Sequence, residues 1–174
     1  MGKHVEVIAR GVIIEARHVL LCQHAKRKYF YLPGGHVEWG ETVVEALARE
    51  LDEEAGVAVH VGPLLVVEDH HFTQNGKRRH EINIIHLAHI AGRCARKPRP
   101  VRSREKGLKF VWCPLKKLGK TQLLPPSHIP IVRERARLPL DFLAVADCYD
   151  IEREGQSELA RAGISWTIPT RSAQ

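Results

Sequence analysis

With 174 residues, 44% of them hydrophobic and 27% charged, and a formal net charge of +7, the chain has the size and usage of one globular domain, which excludes an intrinsically disordered or fibrous class. Its apolar runs are short and interrupted by His, Arg or Glu, far below the ~20 residues of a membrane-spanning helix. The opening residues Met1-Gly2-Lys3-His4-Val5-Glu6 lack the layout of a secretion or acylation signal, so a cytoplasmic protein without a membrane partner is expected.

Taken in chain order, residues 5–14 and 18–24 are two β-branched and leucine-rich runs separated by Glu15-Ala16-Arg17, the pattern of a hairpin. A third short run, residues 29–32, leads into Pro33-Gly34-Gly35, which ends a strand and opens a loop. Thr42 with Glu45 forms a capping box and Gly56 stands where a left-handed terminator belongs, so a helix is predicted over residues 43–55. Residues 57–61 and 64–72 read as two strands, joined through an Asn75-Gly76 turn to the alternating run 80–91. Residues 92–107 are rich in Arg, Lys and Pro and read as an exposed loop. Beyond it come a strand over 109–113, a helical turn over 114–118 and an amphipathic helix over 129–138 opened by Pro130. Periodicity fades after Pro139, and no internal repeat is present.

Charge is segregated along this order. Glu38, Glu41, Glu45, Glu50, Asp52, Glu53 and Glu54 face the single base Arg49 in one stretch, whereas Glu105 is the lone acid among the lysines and arginines of residues 92–120. The implied picture is an acidic pocket beside a basic rim. Cys22, Cys94, Cys113 and Cys148 form no C-x-x-C pair, which disfavours a zinc knuckle or a disulfide framework; reduced packing residues are expected. Among the eleven histidines, strand alternation puts His80 and His86 on one face and His89 on the other, so these three do not make one metal site.

On the predicted helix, Glu50, Glu53 and Glu54 stand at i, i+3 and i+4 and project from one face, bordering the apolar stripe of Val44, Ala48, Leu51 and Ala55. Carboxylates this close repel and raise one another's pKa. A divalent cation relieves that repulsion, and hard oxygen ligands without Cys or His select Mg²⁺ or Mn²⁺ over zinc. Three glutamates on a helix can also be a solvated face, and the neighbouring residues decide between the two.

Gly35-His36-Val37-Glu38-Trp39-Gly40-Glu41, followed by Arg49-Glu50-Leu51-Asp52-Glu53-Glu54-Ala55-Gly56-Val57, fits G-x5-E-x7-R-E-U-x-E-E-x-G-U, with U aliphatic, at every specified position. The chain resembles the Nudix hydrolase family. That resemblance implies an α/β fold, an α/β/α sandwich with a central mixed β-sheet, over residues 1–137. Residues 138–174 are expected to be a C-terminal extension packed on the same domain. It further implies Mg²⁺- or Mn²⁺-dependent hydrolysis of a phosphoanhydride in a nucleoside diphosphate linked to a group X, by in-line attack of water. Glu50, Glu53 and Glu54 would bind metal with the Gly34 carbonyl, and Gly35 would allow the close approach. Arg49 would orient a glutamate, and Glu41 would be a supporting carboxylate.

A base beyond the box often assists in this family. Glu105, seven residues before Trp112, is the candidate, placed similarly to the nucleotide-sanitising branch that destroys 8-oxo-dGTP, and Glu81 is a second. The stretch Leu124-Pro125-Pro126-Ser127-His128 resembles the base-contacting segment of that branch. The branch carries a purine-reading Asn there, whereas this chain has Ser127 and His128. Phe72, Trp39 and Trp112 are candidates for stacking on a base, although an aromatic in a strand, such as Trp112, is more often core. The partner expected is therefore a small nucleotide, either a nucleoside triphosphate (oxidised dNTPs included) or an ADP-ribose-like compound. Two alternatives stand beside it: a nucleotide- or RNA-binding regulator without turnover, and an RNA 5′-end pyrophosphohydrolase gripping its substrate through the basic run. A homodimer is left open.

Overall fold

The computed structural model describes residues 4–26, 28–92 and 97–137. Five strands and two helices follow in the order β1 (Glu6–Glu15), β2 (His18–His24), α1 (Val43–Ala55), β3 (Val59–Gln74), β4 (Lys77–Ile90), β5 (Leu108–Pro114) and α2 (His128–Arg135), with a 3-10 turn at Leu115–Lys120 before α2. The sheet order is β3-β4-β1-β2-β5. Only β1 and β4 are parallel, and the other neighbours are antiparallel.

Alternation along β1 divides the core between the two sheet faces. Ala9 and Ile13 join Ala46, Leu47 and Leu51 of α1 in one buried cluster, whereas Val12 joins Leu21, Ile85, Leu87 and Val132 of α2 in the other. The result is the α/β/α sandwich with a mixed sheet expected from the sequence.

The predicted hairpin is present, but it splays. β1 and β2 pair only next to their turn, at Ile14↔Val19 and Glu15↔His18. The gap is filled by the glycine-bearing loop. Gly11 N–H donates to Pro33 O and Ala9 N–H to Gly35 O, both at 2.9 Å, and Val37 N–H donates to Val7 O at the same distance. On the other side Cys22 and Tyr31 exchange backbone bonds at 2.8 and 3.0 Å. Residues 29–32, expected to be a strand, therefore contribute only isolated bridges, Cys22↔Tyr31 and Phe30↔Leu123.

Residues 57–61 and 64–72, read as two strands, are one long strand, β3, with register shifts between Val61 and Val66. Pro63 cannot donate to a ladder, but pairing with β4 resumes beyond it, so the interruption is a bulge instead of a break. The Asn75-Gly76 turn is confirmed, with φ of 51° and 73°, the left-handed pair that a tight two-residue hairpin requires. Cys22 and Cys113 are buried and free, in keeping with packing roles. Cys94 and Cys148 lie outside the described residues, as does the extension 138–174. No helix among the described residues is long and apolar enough to cross a membrane.

Candidate active site

The capping box fixes where α1 begins. Thr42 Oγ1 accepts from Glu45 N–H at 3.2 Å, and Glu45 Oε2 accepts from Thr42 N–H at 2.8 Å. The Thr42 N–H and hydroxyl, both donating to Glu45 Oε2 at 2.8 Å, hold the Glu45 carboxyl below its ordinary pKa. At the far end Gly56 adopts φ 64°, and its N–H donates to Asp52 O. Replacing Thr42 with Ala should lower stability by about 1 kcal/mol, read as a reduced thermal midpoint, and an unchanged midpoint would show that packing alone fixes the helix start.

With the helix register set, Leu47 and Leu51 are buried against the sheet and the glutamates fall along its edge. Glu50, Glu53 and Glu54 line a cleft of about 350 Å³ together with Arg104 and Glu105. The structure thus brings Glu105, from a distant loop, to the three helix carboxylates. The loop is held by Arg104 N–H donating to Glu54 O at 2.6 Å, by Arg104 Nη1 donating to Asp52 O at 3.0 Å and by Ser103 Oγ accepting from Glu105 N–H at 3.0 Å. Glu81 is not among the residues that line this cleft; it pairs with Glu6 on β1 and His70 on β3.

Arg49 organises the acidic side. Its Nε and Nη2 grip Glu41 bidentately at 3.0 and 2.8 Å, its Nη1 reaches both Glu50 and Glu53 at 3.2 Å, and its Nη2 also donates to His36 O at 3.0 Å. A guanidinium fork suits such planar, two-point contacts. The hydrogen bonds from Arg49 pull the Glu41 carboxyl down to about 2, assisted by the Glu38 N–H, and the same partners raise Arg49 further above its ordinary value.

Glu54 is in the opposite situation. Its Oε2 is buried without a hydrogen-bond partner. Burial first, and then the neighbouring Glu50, Glu105 and Glu53 charges, push its carboxyl up to about 7, opposed by Arg10. A buried carboxyl oxygen without a donor, amid other hard oxygen donors, is a donor set that fits Mg²⁺ or Mn²⁺.

The glycines frame the same cleft. Gly34 has φ 121°, and a Cβ there would lie 2.1 Å from Ala9 O. A Cβ on Gly35 would lie 2.3 to 2.6 Å from the Glu50 carboxyl group. The Gly34 carbonyl, expected to face metal, accepts from Arg10 Nη1 at 2.8 Å, and the same nitrogen reaches Leu32 O at 3.2 Å. A carbonyl oxygen has a second lone pair, so this bond orients it without exhausting it.

The candidate substrate-reading residues are dispersed. Trp39 is fully exposed at 103%. Phe72 is half-buried near the tip of the β3–β4 hairpin, where it stacks on His70 with ring centroids 5.1 Å apart. Trp112 packs against the α1-side core, and its Nε1 donates to Arg99 O at 2.8 Å. Ser127 Oγ donates to Glu68 Oε1, and His128 Nε2 lies 3.1 Å from Glu68 Oε2. His128 is 1% exposed, and burial lowers its pKa, keeping the ring neutral at ordinary pH.

Glu68, Arg10 and Arg104 were not singled out from the sequence. Arg10 and Glu68 carried one usable signal: Arg10 interrupts the apolar stretch 7–14 of β1, and Glu68 directly follows the apolar run 64–67 of β3. Arg10 sits 5.5 Å from the centre of the Tyr31 ring. By register, Glu68 pairs with Asn83, which pairs with Ile8, so Ile8, Arg10, Asn83 and Glu68 share the α2 face of the sheet.

A family model described as NUDIX domain matches residues 5–134. Among curated relatives, the 8-oxo-dGDP phosphatase NUDT18 of Homo sapiens is 47% identical over 66 residues, 36% of this chain and 20% of that protein. The ADP-ribose pyrophosphatase of Methanocaldococcus jannaschii is 36% identical over 92 residues, 51% of this chain and 53% of that protein. The match thus spans a fifth and about half of these two relatives. Among solved structures, the MutT NUDIX hydrolase from Burkholderia pseudomallei superimposes with a TM-score of 0.60 at 28% identity, covering 75% of this chain and 98% of that one. With the family model covering most of its length and the box residues gathered at one cleft, the chain belongs to the NUDIX hydrolase family.

Proposed function

We propose that the protein hydrolyses a phosphoanhydride bond of a nucleoside diphosphate linked to a further group X, in a Mg²⁺- or Mn²⁺-dependent reaction in which water attacks phosphorus in line. One observation carries the reading: Glu50, Glu53, Glu54 and Glu105 converge on one cleft, with a Glu54 oxygen buried and unpartnered. A protein that only bound nucleotides would have no need to maintain mutually repelling acids there.

Glu50, Glu53 and Glu54, with the Gly34 carbonyl, would hold the divalent ion. When bound, the ion neutralises charge on the diphosphate oxygens and lowers the pKa of a coordinated water. Arg49 keeps Glu50 and Glu53 on the cleft side of the helix, and Gly35 leaves room for the Glu50 carboxyl group. Glu105 would take a proton from water; its reach into the cleft from a loop supports that role. On the α2 face, Glu68 is braced by Ser127 and His128 and offers a fixed acceptor for the nucleoside, so His128 acts as a positioning residue for it. The names of the human and archaeal relatives supply two substrates to try first, 8-oxo-dGDP and ADP-ribose.

The test is a panel of 8-oxo-dGDP, 8-oxo-dGTP, ADP-ribose, dinucleoside polyphosphates and 5′-triphosphate RNA, incubated with Mg²⁺ in ¹⁸O-labelled water. Label in a product phosphate is expected, and its position identifies the attacked phosphorus. Turnover of none of the free nucleotides, with salt-sensitive binding of RNA, would move the assignment to the RNA-directed alternative.

A further inference from the structure

The geometry points to a second cation site, of different chemistry, on the β3–β4 hairpin: Asp69, His71 and His80 form a three-ligand site for a borderline transition ion such as Zn²⁺. Nothing in this inference rests on the reaction proposed above.

Register creates the site. His71 and His80 are directly paired across β3 and β4, so their side chains leave the same face, and Asp69, two residues back on β3, shares that face. His71 Nε2 lies 3.1 Å and His80 Nε2 2.8 Å from Asp69 Oδ1. One ligating atom from each of the three residues falls within 4.8 Å of the other two. A tetrahedral Zn²⁺ with bonds of about 2.0–2.1 Å needs ligand atoms roughly 3.3 Å apart, so small rotamer adjustments suffice. The two imidazole rings lie side by side, with centroids 3.8 Å apart and planes tilted by 32°.

The donor set also separates this site from the cleft. Two imidazoles and one carboxylate suit Zn²⁺, Co²⁺ or Ni²⁺, whereas an all-oxygen set suits Mg²⁺. The position is accessible: side-chain exposure is 62% for Asp69, 58% for His71 and 31% for His80. This part of the sheet extends past the cover of α1, since Val7 and Val67 on the same face are 38% and 55% exposed. An ion here would clamp the outer strand β3 to β4 and leave a fourth position open to water or to a ligand from another molecule. Alternation along β4 correctly separates His80 and His86 from His89: His86 Nδ1 bonds Gly62 O at 2.8 Å, and His89 stacks on His60. It cannot show a partner that stands on the neighbouring strand.

The experiment uses the full chain stripped of metal with EDTA and titrated with Zn²⁺ in a large excess of Mg²⁺, followed by calorimetry and by competition with a chromophoric chelator. One Zn²⁺ per chain is expected, with a rise in thermal midpoint, and Co²⁺ should give the visible absorption of a tetrahedral N/O site. His71→Ala and His80→Ala should each weaken Zn²⁺ by at least about tenfold, since even outer supporting groups cost 10–100-fold. Asp69→Asn, which keeps shape and removes charge, should weaken it as well. Glu53→Gln should leave Zn²⁺ binding intact. Equal binding by wild type and His71→Ala, displacement of Zn²⁺ by Mg²⁺, or failure of the wild type to bind at micromolar concentration would each overturn the proposal.

Discussion

Glu54→Gln is expected to lose at least about 10²-fold in kcat, because it removes a proposed ligand from a metal site where even outer supporting groups cost about 10–100-fold, while the protein becomes more stable at neutral pH in the absence of metal. Both effects come from one buried oxygen. The Glu54 carboxyl is raised from 4.5 to about 7 by burial and by its acidic neighbours, so the folded state holds this proton more tightly than the unfolded chain does. Below pH 4.5 the group is protonated in both states and costs nothing. As pH climbs from 4.5 to 7 it must be ionised in an unfavourable place, and the metal-free protein loses about 3 kcal/mol by pH 7 and above. Gln, neutral at every pH, abolishes that slope, and Mg²⁺ should flatten it in the wild type. Urea denaturation at pH 5 and pH 8, with and without Mg²⁺, measures this. Identical slopes for wild type and variant would show that Glu54 is solvated, and normal turnover by both Glu54→Gln and Glu53→Gln would remove the catalytic assignment.

Gly34→Ala should destabilise the fold by about 3 kcal/mol, from an unfavourable left-handed φ and from overpacking. The added methyl would meet the backbone oxygen of Ala9, 2.1 Å away, which has no side-chain freedom with which to retreat. Gly35→Ala is the informative contrast. There the obstacle is the end of the Glu50 side chain, which can swing away, so near-normal stability with poor activity is expected. If the chemical denaturation midpoints of the two variants coincide, the loop does not pack on β1 as described.

What the sequence discloses is what is decided locally. The limits of α1 follow from Thr42, Glu45 and Gly56, and the β3–β4 turn from Asn75-Gly76, since those residues impose their own backbone geometry. The clustering of Glu50, Glu53 and Glu54 is likewise a matter of helical spacing. Features set by distant pairing were less legible. Gly62-Pro63 reads as a strand end, and only the ladder with β4 carries β3 through it. Residues 29–32 have strand composition, but the splayed hairpin gives them single bridges. The pairing of Glu68 with His128 joins residues 60 positions apart. Arg10 meets Gly34 across the seam between the first strand and the loop. Glu105 stood out as the lone acid in the basic run 92–107, but that same basic composition suggested a solvated rim and hid its neighbour Arg104, which also lines the cleft.

The seam between β1 and β2 joins β4-β1 to β2-β5 through the loop that carries Gly34 and Gly35, the latter against the Glu50 carboxyl group. The loop therefore serves as masonry and as machinery at once: Gly34 fits against the backbone of β1, and Gly35 leaves room for the Glu50 carboxyl group. The outer ribbon of β3 and β4, with Glu68 on one side and Asp69 on the other, is free of that double duty. Should Glu68 read the nucleoside as proposed, that preference can be altered there without touching the residues that line the cleft.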